Sequence, residues 1–145
     1  MKKLLLLLLL IPNLVMAEAY LCEAEAAGGV VLDKDNRYRG TEFNVSNQKA
    51  IFKKDDKGFW IAHEFPESDY SIKYSCNEQK NDDGDVLGLV CKNSFDVSDT
   101  FGEYELHKKR LRYKFVSTSG WLLRYEEWGM TPPSPHIIVG KCSKI

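Results

Sequence analysis

The 145 residues carry 20 basic and 21 acidic side chains, a formal net charge of −1, and 43% hydrophobic residues. That balance excludes a disordered chain and offers no basic excess for holding nucleic acid as a main partner. The length allows one small domain with one core.

The chain opens with the pattern of an export signal. Lys2 and Lys3 form a charged start, Leu4 to Ile11 an apolar run, and Pro12-Asn13 a break. Two small-residue cleavage sites follow, one after Ala17 and one after Ala19. Residues 1–19 are therefore expected to be removed, leaving 20–145 as a single β-domain. Losing Lys2 and Lys3 leaves 18 basic residues against 21 acidic ones when the cut falls after Ala17. The apolar run is short for a bilayer span, and Pro12 interrupts it. Ala19-Tyr20-Leu21 before Cys22 is no lipoprotein box. The Lys-led, Leu-rich signal points to a bacterial protein that is periplasmic or secreted.

In chain order, Glu23 to Ala27 have helical propensity but span little more than one turn before Gly28-Gly29. Short alternating segments then recur, each pair separated by turn residues. Gly29–Asp33 and Tyr38–Asn44 flank Lys34-Asp35-Asn36, and Ala50–Lys54 and Phe59–His63 flank Asp55-Asp56-Lys57-Gly58. Ser68–Cys76 and Leu87–Phe95 flank Asp83-Gly84, and Glu103–His107 and Leu111–Val116 flank Lys108-Lys109-Arg110. Trp121–Trp128 and His136–Lys141 complete the series. The expected fold is all-β, one antiparallel domain of about eight to ten strands, as an up-and-down barrel or a two-sheet sandwich. The barrel is preferred, because paired chain ends would leave no open sheet edge.

Cys22, Cys76, Cys91 and Cys142 all follow the signal, and an exported domain with an even count oxidises its cysteines. Zinc spacing is missing from the sequence. Asp83-Gly84 reads as a two-residue type I′ turn. Reflection through it sets Cys76 opposite Cys91, Ile72 opposite Phe95 and Tyr70 opposite Val97. Directly opposed strand residues lie within disulfide reach. Cys76–Cys91 follows, and Cys22–Cys142 by exclusion, for two disulfides in all.

The sequence points to no catalytic residue, cofactor or metal. His63, His107 and His136 fit no metal-binding spacing, and His107 and His136 read as solvated surface residues. Ser117-Thr118-Ser119-Gly120 lacks the nucleophile-elbow pattern. Glu126-Glu127 on a strand would face opposite ways. Asn81 to Asp85 would need acids at Gln79 and Val90 to form a calcium loop, so it reads as a solvated hairpin tip. Two features remain as partner contacts. Lys108, Lys109, Arg110, Arg112 and Lys114 put cations on one hairpin, with Leu111, Tyr113 and Phe115 on the opposite face. Trp128, beside Gly129 and the Pro132-Pro133-Ser134-Pro135 loop, is an aromatic placed for exposure.

Tyr20-Leu21-Cys22 after the signal, the hairpin near Gly29 to Tyr38 and the ending Ile137-Ile138-Val139-Gly140-Lys141-Cys142 resemble a group of small exported bacterial proteins of unassigned function. That resemblance implies four paired cysteines and no particular activity. The Tyr-x-Cys opening is also similar to that of periplasmic C-type lysozyme inhibitors, which are small disulfide-bonded β-barrels. Of their Ser-Gly-rich inhibitory loop, only Ser119-Gly120 has a counterpart. The expected function is a non-catalytic binding module of the bacterial envelope, contacting an envelope protein or an anionic envelope polymer. The alternatives are a lipocalin-like carrier of a small apolar ligand and a hydrolase inhibitor.

Overall fold

Alternation of inward apolar and outward polar side chains produces nine strands in one antiparallel sheet in the computed structural model, which describes residues 18–35, 37–69, 71–93, 102–118 and 134–145. They are β1 (Tyr20–Leu32), β2 (Tyr38–Glu42), β3 (Lys49–Lys54), β4 (Trp60–Phe65), β5 (Tyr74–Lys80), β6 (Val86–Asn93), β7 (Gly102–His107), β8 (Arg112–Ser117) and β9 (His136–Lys144). No helix occurs among the described residues. The first half of β1 pairs with β3 on one side, and β1 pairs with β9 on the other. Eight strands thereby close into a barrel, while β2 lies outside it on the far half of β1. The barrel reading is borne out over the sandwich. Trp121–Trp128 lies outside the described residues.

The first strand begins at Tyr20, well before the expected Gly29. Its register against β9 steps between Ala24 and Ala26, leaving Glu25 as an extra residue. The buried positions accordingly change from Tyr20 and Cys22 to Ala27. A bulge of this kind breaks strict alternation, and Ala and Glu mimic a helical composition across it.

Three turns share one chemistry. Asp33, Asp55 and Asn81 each accept a backbone N–H four residues on, from Arg37, Phe59 and Asp85, at 2.8–2.9 Å. Gly58 and Gly84 supply the positive φ that closes two of these turns. The Asp83-Gly84 turn is therefore not the expected two-residue type I′. Asn81 and Asp85 close it, with the Asn81 N–H 3.0 Å from the Asp85 carbonyl oxygen. Further along, Gln79 faces Gly88 while Lys80 faces Val86, so Leu87 is bulged out. The wider turn and the bulge cancel, and Cys76 faces Cys91 as expected.

Cys22–Cys142 and Cys76–Cys91 are both disulfides between directly opposed strand residues, with Cα atoms 3.9 and 3.8 Å apart. The fifth strand starts at Tyr74, not Ser68, because Ser68 and Ser71 hydrogen-bond each other in a connecting turn. The expected pairs Ile72 with Phe95 and Tyr70 with Val97 involve residues 70, 95 and 97, outside the described residues.

Candidate functional site: an aromatic cavity at one end of the barrel

The two ends of the barrel are packed differently. At the end that carries the Asp55, Asn81 and Lys108 turns, Tyr20, Phe52, Trp60, Leu89 and Leu106 are buried. Lys108 closes this end, its Nζ 4.4 Å from the Trp60 ring centroid and 5.8 Å from that of Tyr20.

The opposite end is open. Here Ala50, Glu64, Tyr74, Tyr104, Tyr113 and Phe115 line a cavity of about 520 Å³, with Gln48, Ser117 and His136 at its rim. Strand alternation places each of them. Glu64 follows Trp60 and Ala62 on the inward face of β4 and pairs across to Ala50. Tyr113 and Phe115 share the inward face of β8, as the sequence indicated, opposite Leu106 and Tyr104 of β7. The small side chain of Ala50 leaves this layer open, whereas Phe52, opposite Ala62, and Trp60 are buried deeper in the barrel.

The rings form a connected cluster. Tyr74 meets Tyr104 edge to face at 4.9 Å, Tyr104 lies 4.4 Å from Phe115, and Phe115 lies 5.9 Å from His136. A smaller cavity of about 290 Å³ adjoins this one, sharing Gln48, His136 and Ile138 and adding Phe43. His136 is thus half-buried between Phe43 and Phe115, 5.7 and 5.9 Å away, rather than solvated as expected.

Burial raises the phenol pKa of Tyr104 and Tyr74, and the Glu64 carboxylate adds to the effect at both. Burial alone pushes Tyr113 up to about 12. The phenols therefore keep their protons at neutral pH, and the cavity presents aromatic faces and hydroxyls beside the Glu64 side chain. Lys49, also on the rim, is bound 2.8 Å away to Glu23, and Glu64 makes no ion pair with another described residue. Such a wall can stack a ring, accept hydrogen bonds from a ligand donor and balance a positive charge.

The basic hairpin is largely neutralised within the protein. Lys108 is 14% exposed and pairs with Glu18 at 3.5 Å. Arg112 pairs with Glu25, and Lys114 with Glu105 at 2.8 Å. Lys109 and Arg110 stand exposed at the turn. Leu111 adopts a φ of +51° and packs partly against the core, and the expected separation of faces holds for Tyr113 and Phe115. Trp128 and Ser119-Gly120 lie outside the described residues.

His107 accepts the Arg110 N–H at 3.2 Å, a turn contact. His63 is buried on the outer side of β4, with Nε2 3.6 Å from Glu67, which also binds Lys73 at 2.7 Å. Among the described residues no group of His, Cys, Asp and Glu could hold a metal ion.

Sequence reasoning placed Tyr113 and Phe115 on one face but did not find Glu64, Tyr74, Tyr104 or His136 as a site. Alternation shows that a side chain points inward. Whether the interior there is filled depends on side chains from several other strands. Comparison with protein-family models, curated proteins and solved structures finds no match to this chain.

Proposed function

We propose that the chain is a non-catalytic exported binding protein that takes a ring-bearing, positively charged group of a small ligand into the open end of the barrel. The observation that carries this reading is Glu64, a solvent-exposed carboxylate at the cavity mouth on the inward-facing side of β4, without an ion-pair partner among the described residues and beside the connected rings of Tyr74, Tyr104 and Phe115. A cavity of about 520 Å³ lies in the range of small-molecule sites, roughly 300–1,000 Å³. Cation–ring attraction and a facing carboxylate both favour an organic cation over a neutral or anionic ligand of the same shape. The carrier and binding-module readings meet in this one site. Two cross-strand disulfides and the N-terminal signal pattern support an oxidising, extracytoplasmic setting. The basic hairpin supports docking to an acidic envelope partner less well, since Lys108, Arg112 and Lys114 already have carboxylate partners.

Calorimetric titration with benzyltrimethylammonium, benzyl alcohol and benzoate tests the proposal. The cation is expected to bind most tightly, and Glu64→Gln to weaken it about tenfold, equivalent to about 1.4 kcal/mol. Absence of binding by all three probes at millimolar concentration would remove the cavity as a ligand site. Equal binding of all three would remove the charge preference.

A further inference from the structure

We infer that export processing cuts this chain between Ala17 and Glu18, so that Glu18 becomes the first residue of the mature protein. The inference rests on reading residues 1–17 as an export signal, and it chooses between two cleavage sites that the local sequence does not separate. Both Val15-Met16-Ala17 and Ala17-Glu18-Ala19 place small or apolar residues where a signal peptidase needs them. The folded domain separates them, because it uses both residues that the second cut would remove.

Glu18 completes the closed end of the barrel. Its carboxylate accepts the Tyr20 hydroxyl proton in a hydrogen bond, lies 3.5 Å from Lys108 Nζ and lies 3.6 Å from Lys144 Nζ. Lys108 depends most on this contact. Its side chain is largely covered, its ammonium sits over the Trp60 and Tyr20 rings, and Glu18 is its carboxylate partner among the described residues. Removing one member of a covered ion pair leaves the other charge desolvated without compensation. Ala19 contributes separately. Its carbonyl oxygen accepts the Ile145 N–H at 2.9 Å, which extends the β1–β9 ladder to the last residue.

A cut after Ala19 would remove all of these contacts and also place a new ammonium on Tyr20, whose ring lies beneath Lys108. A cut after Ala17 keeps the carboxylate and sets the new ammonium on Glu18 itself.

The test is to express the full sequence in a secreting bacterial host and measure the intact mass and N-terminal peptide of the exported product. A product beginning at Glu18 is expected. A product beginning at Tyr20 would overturn the inference while leaving export intact, and an uncleaved chain would overturn both. A second measurement compares refolded chains starting at Glu18 and at Tyr20 in urea. The shorter chain is expected to have an unfolded-to-folded ratio about tenfold higher at pH 7. The hydrogen bond from the Tyr20 hydroxyl, helped by Lys108 and Lys144, holds Glu18 below its ordinary pKa of 4.5, so the part of this advantage that Glu18 supplies is fully present above pH 4.5 and is lost as pH falls through the lower folded value. Equal stability of the two chains across that range would also overturn it.

Discussion

The sealed and open ends of this barrel use the same strands and the same alternation, yet differ in side-chain size and in the length of their connections. At the sealed end the strands are joined by tight turns at 55–58, 81–85 and 108–111, and Phe52, Trp60 and Tyr20 fill the lumen. At the open end the corresponding inward places on β3, β4 and β1 hold Ala50, Glu64 and Ala27, and longer connections such as 43–48 and 66–73 join the strands. An eight-stranded barrel is just wide enough for its own side chains to fill. A few small or charged residues in one layer therefore open a cavity without any change of backbone plan. Stability should reside mainly at the sealed end and ligand contact at the open one.

The largest effect expected concerns the clasp near the sealed end. Cys22–Cys142 spans 120 residues and Cys76–Cys91 spans 15. In the loop-entropy account these are worth about 5 and about 3 kcal/mol. Urea unfolding of the C22A/C142A and C76A/C91A double variants should rank them in that order. The reverse ranking would show that the hairpin, not the joined ends, holds the barrel closed.

Next comes packing. Phe52 is fully buried, whereas Phe115 borders the cavity and is partly exposed. Truncating Phe52 to Ala should cost about 3–5 kcal/mol, as for a filled core. Phe115→Ala should cost about 1–2 kcal/mol, since solvent already reaches its surroundings. Equal losses, read from urea midpoints at constant slope, would mean that the open end is packed as tightly as the sealed one.

The barrel itself was legible because hairpin turns and alternation are local signals. Tyr113 and Phe115 could be assigned to a face from spacing alone, and the Asp83-Gly84 region marked a hairpin even though the turn type differed. The Cys76–Cys91 pairing was reached through a turn geometry that the protein does not use, and the bulge at Leu87 restored the register. The first half of β1 was not legible, because Glu25 shifts its phase. The cavity was not legible either. It depends on the combined volume of residues from β3, β4, β5, β7 and β8, a sum over distant positions that no local pattern records.

The open end should also show itself in alkali. Tyr113 titrates near 10 when unfolded and is pushed up to about 12 by burial in the fold. The folded state thus holds its proton where the unfolded state has released it. Stability from this group is complete below pH 10 and is lost as pH rises from about 10 toward 12, by on the order of 2 kcal/mol. Tyr74 and Tyr104 are raised in the same direction, and so is Tyr20 at the sealed end, by burial and by its hydrogen bond to Glu18. Unfolding followed by tyrosinate absorbance at pH 9 and pH 11 should show the fall, and Tyr113→Phe should reduce it by the share of that one group. An unchanged fall in that variant would assign the alkaline loss to other groups.

The smallest effect concerns the turns that keep the sealed end short. Gly84 has φ +86°, and a Cβ added there would meet nothing within 4 Å. Gly84→Ala therefore tests backbone conformation without steric crowding. A left-handed conformation costs an L-residue roughly 1–2 kcal/mol, so a loss of about 1 kcal/mol is expected. Gly40 provides the matched control. It lies on β2, outside the barrel, where an added Cβ also meets nothing within 4 Å but φ is not positive. Gly40→Ala should change stability little or raise it by about 0.5 kcal/mol, because only the freedom of the unfolded chain is reduced. Equal effects at the two positions would show that the Asn81–Asp85 turn relaxes to accept a side chain, and that the tight turn is not what keeps this end of the barrel sealed.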